Sequence, residues 1–362
     1  MLPSLTINSS QPYPIYLDNF VQIHRLLPSH NVAVIIDQTV LTYYPELSQQ
    51  FPAVFTIPPG EASKSRKQKA QLENQLFAAG FNRDCHLVAI GGGVTLDLTG
   101  FIAATFCRGV PVTYVPTSLL AMLDVCVGGK TGINTKYGKN TLGCISSPRQ
   151  VLIDTQFLTT LASLEFRSGM VESLKHGLIY EADFFNWQVT QLADLLNLNH
   201  AKLSQLILKN LAIKAAIVQQ DEFELGGIRQ ILNYGHTIGH AIEIASAYQL
   251  NHGAAIALGI LAENYIAQAM GFLSEIDAQR IGEILSKLNI LTSFNISNDV
   301  IFNALKYDKK TANQQINGIL ISKIGCVHQS SQGYSTKLAS NLLKEAISWL
   351  QQSNRNGFCQ FK

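Results

Sequence analysis

The segment His86–Ile90 (HLVAI) runs without a break into Gly91-Gly92-Gly93. An uninterrupted apolar run of this length, bounded by a turn, reads as a strand buried on both faces. Glycines at its end let backbone N–H groups approach whatever lies beyond the strand. Asp97–Phe106 then carries a helical pattern, and Val112–Val115 is a second strand closed by Pro116. Strand, helix and strand in succession build a parallel sheet, because parallel neighbours need a crossover between them. The same rhythm precedes the glycines. Asn31–Asp37 (NVAVIID) and Phe55–Ile57 read as strands, and Lys64–Ala79 as a polar-faced helix ended by Gly80. The expectation is a parallel sheet covered by helices on both faces.

From about Asp154 the pattern changes. Glu165–Tyr180, Ala182–Leu196, His200–Glu222, Asn233–Ala247, Gly253–Met270, Asp277–Lys287 and Leu338–Gln351 all read as helices. The sequence thus divides into residues 1–158, α/β, and 159–362, mostly α-helical. A chain of 362 residues suits two domains. Only 14% of residues are charged, which fits much buried surface and an oligomer. A net charge of +2 gives no electrostatic case for nucleic-acid binding. No apolar stretch is long enough to span a membrane, and the first residues lack the pattern of a signal peptide. The six cysteines form no CxxC pair, as expected of free thiols in a reducing cytoplasm.

Four groups of residues carry possible chemistry. Gly91–Asp97 reads either as a phosphate loop opening a helix or as a tight structural turn; Leu96 stands where a GxGxxG fingerprint needs glycine. Asp37 and Glu61 follow strands, where an acid holds ribose hydroxyls or simply caps a turn. Asp124–Lys130 and Gly138-Lys139-Asn140 hold two glycine-preceded lysines, the makings of an anion pocket or of a solvated loop. Finally, His236, His240 and His252 are three of nine histidines, and His236 and His240 stand at i,i+4 on one helix face, a metal-ligand spacing, with Glu243 on the same side. A further ligand must come from elsewhere. Glu172, in a mostly apolar helix, is a candidate, since a lone carboxylate there is costly. Together these features suggest a metal-assisted redox enzyme acting on a phosphorylated polyol.

In order along the chain, PPGEASKS, GGGVTLDLTGF, RGVPVTYVPTSLLAMLD, VGGKTGIN, GKNTLG, LIDTQFLTTL, GMVESLKHG and GGIRQILNYGHTIGHAIE resemble the blocks of the 3-dehydroquinate synthase family, within the sugar-phosphate cyclase superfamily. The resemblance covers about Asp37 to Lys310. It implies a Rossmann-like parallel-sheet domain that binds NAD, followed by a helical metal- and substrate-binding domain. It also implies a divalent metal, zinc with cobalt as the alternative, and a homodimer. The implied reaction takes 3-deoxy-D-arabino-heptulosonate 7-phosphate to 3-dehydroquinate and phosphate. The metal ligands become Glu172, His236 and His252, which moves His240 from ligand to substrate contact. NAD contacts fall on Asp37, Glu61, Lys64, Gly92, Gly93, Asp97, Thr117, Ser118, Phe157 and Thr160, with Lys130 and Lys139 beside them. Catalytic and substrate-binding roles fall on Asp124, Lys130, Asn140, Lys175, Lys214, Arg229, Asn233, His240 and one lysine of Lys309-Lys310, with Lys310 favoured. Arg108 is implied to reach a neighbouring subunit's site.

The chain departs from the family pattern at Leu96, Cys126 and Ala254, where glycine, serine and glutamate are usual. An extra residue between Glu222 and Arg229 blurs the place of Glu224. The competing expectation is another sugar-phosphate cyclase, such as a 2-deoxy-scyllo-inosose synthase-like enzyme.

Overall fold

The computed structural model describes residues 2–20, 24–291, 294–307, 315–331, 333–356 and 358. Lys309, Lys310 and Cys359 lie outside the described residues. The chain divides into two compact units. One comprises Met1–Ala162 with Asp194–Phe223, the other Ser163–Ala193 with Glu224–Lys362. The chain thus passes between units at 162/163, 193/194 and 223/224, not once at 158/159. Helix His200–Gln220 belongs to the first unit because its apolar side packs on the Ala121–Val125 turn there.

The first unit is built on a seven-stranded sheet. Its strands are β1 (Leu5–Ile7), β2 (Tyr13–Leu17), β3 (Val32–Asp37), β4 (Val54–Ile57), β5 (His86–Gly91), β6 (Val112–Pro116) and β9 (Gln150–Ile153). The spatial order is β1-β2-β9-β6-β5-β3-β4, and only the β1–β2 pair is antiparallel. β5 and β6 are buried throughout, and β3 in all but its last residue. Central parallel strands face apolar layers on both sides, so they lack polar alternation. Helix Arg66–Ala78 starts where Ser65 accepts a hydrogen bond from the Gln68 N–H at 3.2 Å. Helix Gly93–Thr105 starts four residues before the expected Asp97, directly on the glycine run. β7 (Lys130–Thr135) and β8 (Gly138–Ile145) form an antiparallel hairpin over the stretch that the sequence offers as an anion pocket or a solvated loop.

The second unit is mostly helical. Helix Ser163–Tyr180 is buried almost continuously from Phe166 to Ile179, and helix His252–Ala269 nearly throughout. Helix His236–Ala245 packs on the latter. The expected long helix over Ala182–Leu196 is two pieces, Ala182–Thr190 and Leu192–Leu196. Two short antiparallel ribbons escaped the sequence reading. They pair Asn317–Ile319 with Ser335–Lys337, and Ile321–Lys323 with Cys326–Val327. No helix among the described residues is long and apolar enough to cross a membrane.

Candidate functional site

Within the first unit, the residues implied to contact NAD follow the carboxyl ends of five parallel strands. Asp37 ends β3; Glu61 and Lys64 follow β4; Gly92, Gly93 and Asp97 follow β5; Thr117 and Ser118 follow β6; Phe157 and Thr160 follow β9. Ligands of open α/β sheets bind at this edge. Gly92 is the N-cap of helix Gly93–Thr105, and no side chain caps that end. Its first N–H groups therefore suit an anion. Asp37 is a cap in fact: its Oδ1 accepts the Thr39 N–H at 2.8 Å. Glu61 Oε1 accepts from Asn134 Nδ2 at 2.7 Å. Phe157 packs edge-on to Tyr44 at 5.0 Å, and the Thr160 hydroxyl lies 3.2 Å from the Tyr44 hydroxyl.

Lys64 is 4% exposed. Its ammonium lies 2.6 Å from Asp97 Oδ2 and also donates to Asn140 Oδ1. Burial pushes the Asp97 carboxyl above its ordinary range, against the pull of Lys64. Lys214 Nζ lies 2.8 Å from Asp124 Oδ1 and donates to the Asp124 carbonyl at 2.6 Å. Lys130 and Lys139 stand exposed on the hairpin, and Asn140 has a left-handed backbone. Arg108 is exposed in a turn where Cys107, Arg108 and Gly109 all have positive φ.

In the second unit, backbone contact between two helices sets the geometry. A Cβ on Gly259 would lie 2.0 Å from the Gly235 carbonyl oxygen and 2.7 Å from the Gly239 nitrogen. Only glycine allows helices His236–Ala245 and His252–Ala269 to approach so closely. Gly235 itself has φ 80°, and its N–H is held by the fully buried Glu263 at 2.7 Å. Gly235, Gly239 and Glu243 share one helix face, and the crossing brings His252 opposite Glu243.

Glu172, on helix Ser163–Tyr180, is 2% exposed. Its Oε2 pairs with Lys175 Nζ at 2.5 Å. Its Oε1 faces two imidazoles, His236 Nε2 at 3.5 Å and His252 Nε2 at 3.3 Å. The other nitrogen of each ring is already engaged. His236 Nδ1 lies 3.1 Å from the Tyr234 carbonyl, and His252 Nδ1 lies 3.3 Å from Glu243 Oε1. Each ring therefore turns Nε2 toward the same carboxylate oxygen. Burial works to raise the Glu172 pKa, but Lys175, His236 and His252 outweigh it and hold the carboxyl well below its ordinary range. Burial first, and Lys175 second, push His236 down to about 3. Burial also opposes charge on His252, yet hydrogen bonds and charges from Glu172 and Glu243 lift it to about 9.

One carboxylate and two imidazoles, with donor atoms within 4.8 Å of one another, make a metal-ligand set. A second set among the described residues is His240, Glu243 and His252. His240 enters only that one, with Nε2 3.9 Å from Glu243 Oε2. The i,i+4 spacing correctly put His236 and His240 together, at 5.0 Å between ring centres. It could not reveal that His252 comes across the crossing to 5.7 Å from His236. Arg229 is buried and Asn233 exposed in the turn Ile228–Asn233 that leads into the histidine helix. Glu263 went unnoticed in the sequence; a charge inside the apolar run GAAIALGILAEN was its one signal.

A sheet of the dinucleotide-binding kind and a helical unit with a Glu–His–His cluster, in one chain, define the class of metal-dependent enzymes that work with a dinucleotide. Residues 54–168 match the 3-dehydroquinate synthase N-terminal profile, and residues 169–311 its C-terminal counterpart. The 3-dehydroquinate synthase of Campylobacter concisus is 40% identical over 75% of this chain and 78% of that protein. That of Coxiella burnetii is 36% identical over 92% and 96%. A crystal structure of 2-deoxy-scyllo-inosose synthase, with carbaglucose-6-phosphate, NAD+ and Co2+, superposes with a TM-score of 0.86 at 28% identity, covering 95% and 98%. The chain belongs to the 3-dehydroquinate synthase family.

Proposed function

We propose that this chain uses NAD and a divalent metal, zinc in the first instance, to convert 3-deoxy-D-arabino-heptulosonate 7-phosphate into 3-dehydroquinate and phosphate. The observation that carries the proposal is the convergence of His236 Nε2 and His252 Nε2 on one buried Glu172 oxygen, in a chain of this family. These three residues fit a metal that keeps an open position for substrate oxygens. A metal held there would supply acidification of the hydroxyl to be oxidised, and a bound NAD would supply a reversible hydride acceptor.

The roles of the chain's own residues follow from their chemistry. Lys175 holds Oε2 of Glu172 and leaves Oε1 to the histidines' side. Gly92 and Gly93 offer backbone N–H groups to the dinucleotide phosphates, and Lys64 with Asp97 fixes the wall beside them. Glu61 accepts ribose hydroxyls; Asp37 has one oxygen left for the same task. The resemblance assigns cationic roles toward phosphate and carboxylate to Lys130 and Lys139, with Asn140, in the first unit, and to Arg229, with Asn233, in the second. Asp124 and Lys214 act as one paired unit, and His240 orients a substrate hydroxyl. The resemblance assigns Lys310 to substrate binding, and Thr117, Ser118, Phe157 and Thr160 to the cofactor's surroundings. The reaction balances without net oxidation: loss of phosphoric acid from the heptulosonate phosphate gives the carbocycle, and its ring closes by an internal aldol step.

We place the enzyme in the cytoplasm as a homodimer. Five described cysteines are free, which suits a reducing compartment. Arg108, exposed in its left-handed turn, is the residue assigned to the second subunit's site. The structural likeness to 2-deoxy-scyllo-inosose synthase favours one second reading, a cyclase of a different sugar phosphate. Competition between the heptulosonate 7-phosphate and glucose 6-phosphate, with products identified by mass spectrometry, separates the two. Formation of 3-dehydroquinate supports the proposal; formation of an inosose in its place defeats it.

A further inference from the structure

We infer that Glu243 is a positioning residue of the metal centre: its carboxylate holds Nδ1 of His252 and so aims Nε2 at the oxygen of Glu172. The inference rests on the reading of Glu172, His236 and His252 as the ligands. Glu243 is 4% exposed, and a carboxylate so buried needs charged or hydrogen-bonding neighbours. Two such neighbours are His252 Nδ1, 3.3 Å from Oε1, and His240 Nε2, 3.9 Å from Oε2.

The two histidines facing Glu172 are oriented by different means. His236 donates from Nδ1 toward a backbone carbonyl, that of Tyr234, two residues away in the same turn. Its orientation follows from the path of the chain. His252 is the first residue of its helix, and Asn251 before it caps the Gly253 N–H, not the ring. An imidazole has two broad orientations about its second torsion, and it has two neutral tautomers. In the neutral ring that a metal requires, a carboxylate at Nδ1 selects one of each, with the proton on Nδ1 and the lone pair on Nε2. Glu243 is itself fixed, because it continues the face on which Gly235 and Gly239 touch the His252 helix. Glu243 therefore does for His252 what a backbone carbonyl does for His236.

The test measures the zinc affinity of the full chain by competition with a chromophoric chelator, and records the visible spectrum of its cobalt form. Glu243→Ala is expected to weaken zinc about 10- to 100-fold, as losses of such outer partners do. Glu243→Gln keeps an acceptor without its charge, and is expected to recover part of that loss while shifting the cobalt bands. Unfolding of the zinc-free proteins in chelator should leave Glu243→Gln with its parent's midpoint, which a merely structural role would not predict alongside weakened zinc. If Glu243→Ala does not fold, the glutamine variant alone decides. Parent-like zinc affinity and cobalt spectrum in Glu243→Gln and Glu243→Ala overturn the inference, provided that Glu172→Ala and His252→Ala lose zinc. Retention of zinc by Glu172→Ala, with loss in His240→Ala, would instead seat the ion on His240, Glu243 and His252. That result overturns both the inference and the ligand assignment beneath it.

Discussion

Gly259→Ala tests the helix crossing that assembles the histidines. The added Cβ would lie 2.0 Å from the Gly235 carbonyl oxygen, 2.7 Å from the Gly239 nitrogen and 3.0 Å from the Gly235 carbonyl carbon. Ordinary contact begins at 3.4 Å, so the shortest approach falls 1.4 Å short. All three neighbours are backbone atoms, so no side-chain rotation relieves the clash, and the helices must separate by about that amount. Overpacking of this kind costs about 1–3 kcal/mol. The same displacement moves His236, on one helix, away from His252, on the other. Metal–ligand distances tolerate only about 0.2 Å, so zinc affinity should fall at least about tenfold, the smaller of the losses seen when a ligand's support is removed. Urea unfolding in chelator reads the first effect, and zinc competition on the folded protein reads the second. A variant with unchanged stability and unchanged zinc affinity would refute the claim that this crossing sets the site.

Other expectations concern the first unit and the proposed dimer. Lys64→Met strips the half-buried Asp97 carboxylate of its partner at 2.6 Å and should cost about 2 kcal/mol in urea unfolding. Adding Asp97→Asn should restore much of the loss, and strict additivity of the two changes would argue against the pair. His86 is lowered to about 4, chiefly by burial and then by Arg149, while an unfolded histidine titrates near 6.5. The unfolded chain thus binds more protons between those values, and the stability present above pH 6.5 is lost as pH falls toward 4, by up to about 3 kcal/mol. His86→Gln should flatten that slope; an equal slope would contradict it. Heterodimers of Arg108→Ala and Lys130→Ala chains should regain one working site, and mixtures that stay inactive would count against a shared site.

The parts of this fold that show in the sequence are those whose burial leaves a pattern. β3, β5 and β6 are central parallel strands, and their apolar runs were legible for that reason. The β7–β8 hairpin was not, because β8 is largely exposed and glycine- and lysine-bearing, with no apolar alternation to read. Helix Gly93–Thr105 begins earlier than its sequence suggests because glycine, valine and threonine are weak helix formers that tertiary packing overrides. Helix Asn298–Tyr307 and the two C-terminal ribbons went unread, the ribbons being only two or three residues per strand. In the site, i,i+4 spacing joined His236 to His240. Only the glycine crossing, a contact between distant residues, brings His252 and Glu243 together. Leu96, Cys126 and Ala254, the positions that the resemblance marks as departures, are each 1% exposed. They belong to the packed interior, and Cys126 donates its thiol to the Met122 carbonyl, with burial raising its pKa to about 12.

The most direct measurement follows phosphate release and NADH absorbance together, with purified protein, zinc, catalytic NAD and 3-deoxy-D-arabino-heptulosonate 7-phosphate. Many phosphates released per NAD, 3-dehydroquinate in equal amount, and no net rise in NADH are expected. Steady accumulation of NADH, or phosphate release with a different carbon product, would contradict the proposed function.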